Sequence, residues 1–172
     1  MKAMETLDVL FARHRQGVFC YLYRMVGQAE TARDLTQEVF LRMARSEVPD
    51  APPSALRAWV FTIARHLALN HLRDGSRRPE TTALTEQSQP ATQEIAIALR
   101  EAIDGLPALD RDVFLMREAG GLSYDEIARA CDLAPGAVRS RLHRARQQLR
   151  ENLGDAFAAG RPPLGVRLKP WK

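Results

Sequence analysis

From Ser123 to Arg150 the chain reads SYDEIARACDLAPGAVRSRLHRARQQLR, and this stretch restricts the fold more than any other. Ser123 and Glu126 have the spacing of a capping box, in which a hydroxyl and a carboxylate satisfy each other's backbone donors at a helix start. The helix so begun is short and ends near Ala130. CDLA follows as a turn, and Pro135 suits the first position of a new helix, where its missing N–H costs nothing. Two short helices on a tight turn, the second basic, form the helix-turn-helix pattern. On a helical wheel Val138, Leu142, Ala145 and Leu149 share an arc of roughly 60°, the stripe to be buried. Gly136, Ser140, His143, Arg144 and Gln147 lie opposite, with Arg139 and Arg141 on the flanks. A merely solvated helix mixes Glu with Arg to gain i,i+4 pairs. Here no acid appears until Glu151. Donors and small residues near the helix start suit close approach to phosphates and base edges. Arg146 and Arg150 point off that face and are expected to meet phosphate or solvent.

Gly and Pro divide the chain before this stretch into further helices. One amphipathic segment runs from about Ala3 to Val26 and stops at Gly27, a C-cap residue type. A second, Ala29 to Arg45, ends before PDAPP, where Pro49, Pro52 and Pro53 enforce a break. A third runs from Ser54, read as its N-cap, to Arg73. GSRRPETTALTEQSQPATQ, residues 75–93, shows no apolar period and reads as a flexible linker. Beyond it come helices over Ile95–Asp104 and Ala108–Ala119. The expected architecture is all-α: a helical domain over 1–74, the linker, a helix-turn-helix domain over 94–154, and a basic, mobile tail over 155–172.

Composition narrows the function classes. Cys20 and Cys131 are far apart and have no CxxC partner, which argues against a disulfide framework or a zinc site and fits a reducing cytosol. MKAMETLDVLF lacks the apolar core of a signal peptide, and no stretch approaches the ~20 apolar residues that span a bilayer. A cytoplasmic chain without membrane insertion is expected. The formal net charge of +4 is unevenly spread. Residues 81–134 carry ten acidic side chains against four basic, whereas 51–80 carry five basic against two and 135–154 five against one. Two basic blocks parted by an acidic one suggest a polyanion touched at two places. The four histidines show neither metal-site nor triad spacing, so no catalytic residue, metal or cofactor is expected.

The third helix is apolar on both sides. Leu56, Val60, Ile63 and Leu67 form its core stripe, and Phe61, Ala68, Leu69 and Leu72 line the far side, which makes it the central helix of its bundle. Its narrow polar stripe holds Thr62, His66, Asn70 and Arg73, with Trp59 at the edge. A tryptophan beside hydrogen-bonding groups, leading into RDGSRR, can stack on and grip an unpaired base; the alternative is that Trp59 is ordinary core.

DLTQEVFLRMAR (34–45), AWVFTIARHLALNHLRDGSRR (58–78) and LPALDRDVFLMREAGGLSYDEIARACDLAPGAVRSRLHRARQQL (106–149), in that order, resemble the successive signatures of extracytoplasmic-function (ECF) sigma factors. These are the smallest sigma-70-type subunits of bacterial RNA polymerase, with helical regions 2 and 4 on a linker. The resemblance implies a promoter-specificity subunit with no chemistry of its own. Asp34, Gln37, Glu38 and Leu41 would dock on the clamp helices of the largest subunit of core RNA polymerase. Trp59, Thr62, His66, Asn70, Arg73, Ser76, Arg77 and Arg78 would open the −10 element of promoter DNA and hold a flipped base. Pro135, Gly136, Arg139, Ser140, Arg141, His143, Arg144 and Gln147 would read the −35 element. An anti-sigma factor is the implied inhibitor. His66 stands where the family often has Asn, and the tail after Gly154 exceeds the minimal pattern. A stand-alone helix-turn-helix regulator with an N-terminal dimerisation bundle is the alternative, and it would bind duplex DNA without polymerase.

Overall fold

The structure, a computed structural model, describes residues 7–74 and 90–158, with side chains for 7–74 and 96–154. Its helices are α1 (Leu7–Val26), α2 (Ala29–Arg45), α3 (Pro53–Arg73), α4 (Pro90–Asp104), α5 (Ala108–Glu118), α6 (Tyr124–Cys131) and α7 (Pro135–Ala158). No strand occurs among the described residues. Four boundaries differ from the sequence reading. Helix α3 starts one turn position earlier, at Pro53 with Pro52 as its N-cap, so Ser54 lies inside the first turn. Proline at N1 sets the helical φ without needing a donor. By the same logic α4 starts at Pro90, and residues 90–93, expected in the linker, are helical. Helix α5 ends at Glu118, with Ala119 as its C-cap. Helix α7 continues through Gly154 to Ala158, because alanines beyond the glycine restore helix propensity.

Helices α1 and α2 form an antiparallel pair across a turn at Gly27, which adopts φ 86°, a left-handed conformation that costs other residues strain. Its N–H closes the last turn on the Tyr23 carbonyl at 2.8 Å. Leu10, Val18, Leu22, Val39 and Met43 are buried between α1, α2 and α3. In the second half α6 and α7 pack on α5 through Ile127, Val138, Leu142, Ala145 and Leu149, the stripe expected from the wheel.

The two halves share one continuous core. The far apolar side of α3, legible in sequence, is covered by the second half: Phe61 is fully buried, and a Cβ added to Gly120 would lie 2.7 Å from its ring. Polar contacts frame this junction. Arg57 donates to the Gly120 carbonyl at 2.8 Å and lies 3.7 Å from Glu126. Arg129 reaches Ser54 Oγ at 3.2 Å. At its centre the buried Asp112 of α5 accepts from the Tyr21 hydroxyl of α1 and from Arg65 of α3. A carboxylate can be buried when donors surround it.

Candidate nucleic-acid interface

The helix-turn-helix forms as its residues dictate. Ser123 Oγ accepts from the Glu126 N–H at 3.2 Å, and Glu126 Oε2 accepts from the Ser123 N–H at 2.7 Å. Asp132 ends α6 in the left-handed region at φ 54°, where the short polar side chain is tolerated. Its N–H closes on the Ala128 and Arg129 carbonyls, which turns the chain into α7 at Pro135. Pro135, Gly136, Arg139, Ser140, His143, Arg144 and Gln147 are all exposed on α7. Open space surrounds Gly136, so the helix start can approach a surface closely. Ser140 Oγ donates back to the Gly136 carbonyl at 3.1 Å, leaving its lone pairs outward.

The arginines separate into distinct environments. Arg139 is exposed and makes no ion pair among the described residues. Arg141, expected on the flank, turns inward: its Nη1 donates to Asp110 Oδ1 at 2.6 Å. Arg144 meets the same carboxylate through Nε at 3.2 Å and Nη2 at 3.4 Å, yet its side chain keeps 58% of its exposure. Burial alone raises the Asp110 carboxyl, but hydrogen bonds from Arg144 and Arg141, with their charges, outweigh it and hold the group below the usual carboxylate range. Arg146 departs from its expected phosphate or solvent role. It is half-buried and pairs with Glu118 of α5 at 2.9 Å, fastening α7 to its scaffold. Gln147 is hydrogen-bonded to Glu151 at 3.1 Å, one turn on.

A second candidate surface lies on α3. Trp59 is half-buried, neither core nor free, and with Ile63 and His66 lines a cavity of about 290 Å³. Arg42, Arg45 and Ser46 from the end of α2 complete its wall. Sequence reasoning missed these three. The available signal was two arginines three apart at a helix C-terminus, facing a break. Thr62 is half-buried and bonded to the Ala58 carbonyl at 2.9 Å, so it contributes less to this surface than its wheel position suggests. Asn70 and Arg73 are exposed one and two turns beyond His66 and linked at 2.9 Å. Ser76, Arg77 and Arg78 lie outside the described residues.

On α2, Asp34, Gln37, Glu38 and Leu41 fall on one outward face, as their spacing requires. Leu41 is 42% exposed, a large apolar side chain left uncovered, and Glu38 is held by Arg42 at 2.8 Å. None of the described helices is long and apolar enough to cross a membrane.

Two family descriptions match the chain: Sigma-70 region 2 over residues 10–78, and Sigma-70, region 4 over residues 96–149. The chain is 35% identical to ECF RNA polymerase sigma factor SigE of Mycolicibacterium smegmatis, over 88% of its own length. It spans 63% of that relative. It is 33% identical to RNA polymerase sigma factor CarQ of Myxococcus xanthus, over 89% of this chain and 92% of the other. Among solved structures, the sigma factor RpoE, co-crystallised with the anti-sigma factor NepR from Bartonella quintana, aligns with a TM-score of 0.69 at 23% identity. That alignment covers 86% of this chain and 96% of the other. CnrH, solved with the cytosolic domain of CnrY, gives 0.66 at 24% identity over 87% and 88%. At these identities the likeness is one of fold.

Proposed function

Because the chain belongs to the extracytoplasmic-function sigma factors of the sigma-70 family, we propose that it binds core RNA polymerase and directs initiation at promoters whose −35 and −10 elements it reads. The observation that carries this reading is the coexistence of two DNA-suited surfaces on one chain, the exposed face of α7 and the Trp59–His66 cavity of α3. A repressor needs only the first.

The work divides by element. Helix α7 enters the major groove of the −35 element with its N-terminal half, where Arg139, Ser140, His143 and Arg144 reach base edges. The α3 cavity takes one unstacked base of the −10 element. Trp59 stacks on it, His66 and Asn70 offer donors and acceptors to its edge, and Arg42 and Arg45 meet the adjoining phosphates. The α2 face with Asp34, Gln37, Glu38 and Leu41 docks on the polymerase clamp helices, with Leu41 as the apolar anchor and the charges fixing register. The polymerase supplies the chemistry. An anti-sigma factor is the proposed inhibitor, in keeping with the likeness to RpoE, which was solved in complex with the anti-sigma factor NepR.

Permanganate footprinting tests the strand-opening part. Replacing His66 and Asn70 by Ala should leave fewer reactive thymines at the −10 element of a duplex promoter, and a pre-melted template should restore transcription. Failure of the pre-melted template to rescue would assign these residues to folding.

A further inference from the structure

Asp110 is 4% exposed, sits on α5 outside the recognition helix, and spends its carboxylate on two arginines of α7. Arg141 is the scaffold partner, half-buried and held at 2.6 Å. Arg144 is the exposed one, and the geometry of its hold is specific. The carboxylate engages Nε and one Nη2 hydrogen, the side edge of the guanidinium. Of its five N–H donors, both on Nη1 and the second on Nη2 remain, which is the end-on fork that matches the O6 and N7 acceptors of guanine. A guanidinium clamped on one edge presents the other in a fixed direction.

We infer that Asp110 is a positioning residue that aims the Arg144 fork at a base of the −35 element. The inference rests on the promoter-reading function proposed above and adds a residue that touches no DNA itself. Clamping removes rotamer freedom before the complex forms, so less is lost on docking. Side chains that read a partner must be held within about 0.5 Å of their productive geometry. The same carboxylate cancels one of two positive charges, so it sharpens base choice while lowering sequence-independent phosphate attraction. These opposite signs separate positioning from a purely structural role, which would weaken both together.

The test uses the full chain with core RNA polymerase on a promoter library randomised across the −35 element. Asp110→Asn, which keeps the side-chain shape and one acceptor, should lower the preference for the favoured base at one or two positions by about tenfold, within the range of a bidentate arginine contact. Its salt slope should equal or exceed that of the wild type. In an Arg144→Ala background the substitution should change the preference no further. A uniform loss at every promoter, or the same relaxation with Arg144 absent, overturns the inference, as does an unchanged preference profile. Asp110→Glu gives a second arm if the amide variant does not fold: the anion is kept but displaced by a methylene, so the same positions should relax, and wild-type preference there also overturns it. A wild-type protein that yields no promoter-selective transcript removes the function reading itself, an outcome distinct from all of these.

Discussion

Asp112 and Asp110 are two residues apart on α5 and do different work. Asp112 faces the first half, where its carboxylate satisfies both the Tyr21 hydroxyl and Arg65. Burial first, then the Asp112 charge and hydrogen bond, push the Tyr21 phenol well above its ordinary value, so it remains a donor at any physiological pH. Asp112→Ala leaves a buried hydroxyl and a half-buried guanidinium without their acceptor and should lower stability by about 3–5 kcal/mol, measured by urea unfolding. Asp110 faces α7, and its lowered carboxyl pKa carries a pH signature. Stability contributed by a depressed acid is complete above its unfolded value of about 4 and is lost as pH falls toward the folded value. Acid titration of Asp110→Asn should therefore show a shallower decline below about pH 4 than the wild type, with less stability at neutral pH. None of this pairing was legible in sequence. A wheel shows which side of α7 faces inward, but the partner of Arg141 lies 31 residues away on another helix.

At the scale of elements, the periodic and punctuated features were legible and the junctions between elements were not. The buried stripe of α7, the capping box of α6 and the outward face of α2 follow from spacing alone, because each is a local property. The wall that Arg42, Arg45 and Ser46 give to the Trp59 cavity depends on how α2 crosses α3, which no single-helix pattern encodes. The apolar far side of α3 was visible, but not that α6 and the turn at Gly120 cover it. Gly120 marks that junction. A methyl group there would meet the Phe61 ring at 2.7 Å and the Met116 carbonyl at 2.8 Å. Gly120→Ala should cost about 1–3 kcal/mol by overpacking, seen in thermal unfolding, while Gly136→Ala, in open space, should leave the melting temperature nearly unchanged. On α2, Asp34→Ala with Glu38→Lys should weaken capture of core polymerase in a competition pull-down and keep the helical circular dichroism. Equal competition would reassign that face.

The whole molecule shows the two halves closed on each other. A compact chain of 172 residues has a radius of gyration of about 16 Å. Promoter elements about 25 base pairs apart lie roughly 85 Å apart along B-DNA. The proposed function therefore requires the halves to separate. The 16 residues 74–89 between α3 and α4 can reach about 55 Å when fully extended, which with the halves themselves spans the distance. Opening breaks the Asp112 cluster and the Arg57–Gly120 contact and exposes Phe61, so polymerase and DNA must offset that cost. Energy transfer between dyes on the two halves should fall when core polymerase is added, and Asp112→Asn should lower it in the free protein as well.

Run-off transcription with core RNA polymerase tests the central claim most directly. The account predicts that the purified chain converts core enzyme into one that starts at discrete promoters and loses that selectivity when the α7 face is altered by Arg139→Ala with Arg144→Ala. Core enzyme that remains unselective with the chain present, while the chain alone binds duplex DNA tightly as a dimer, would contradict it and identify a stand-alone regulator.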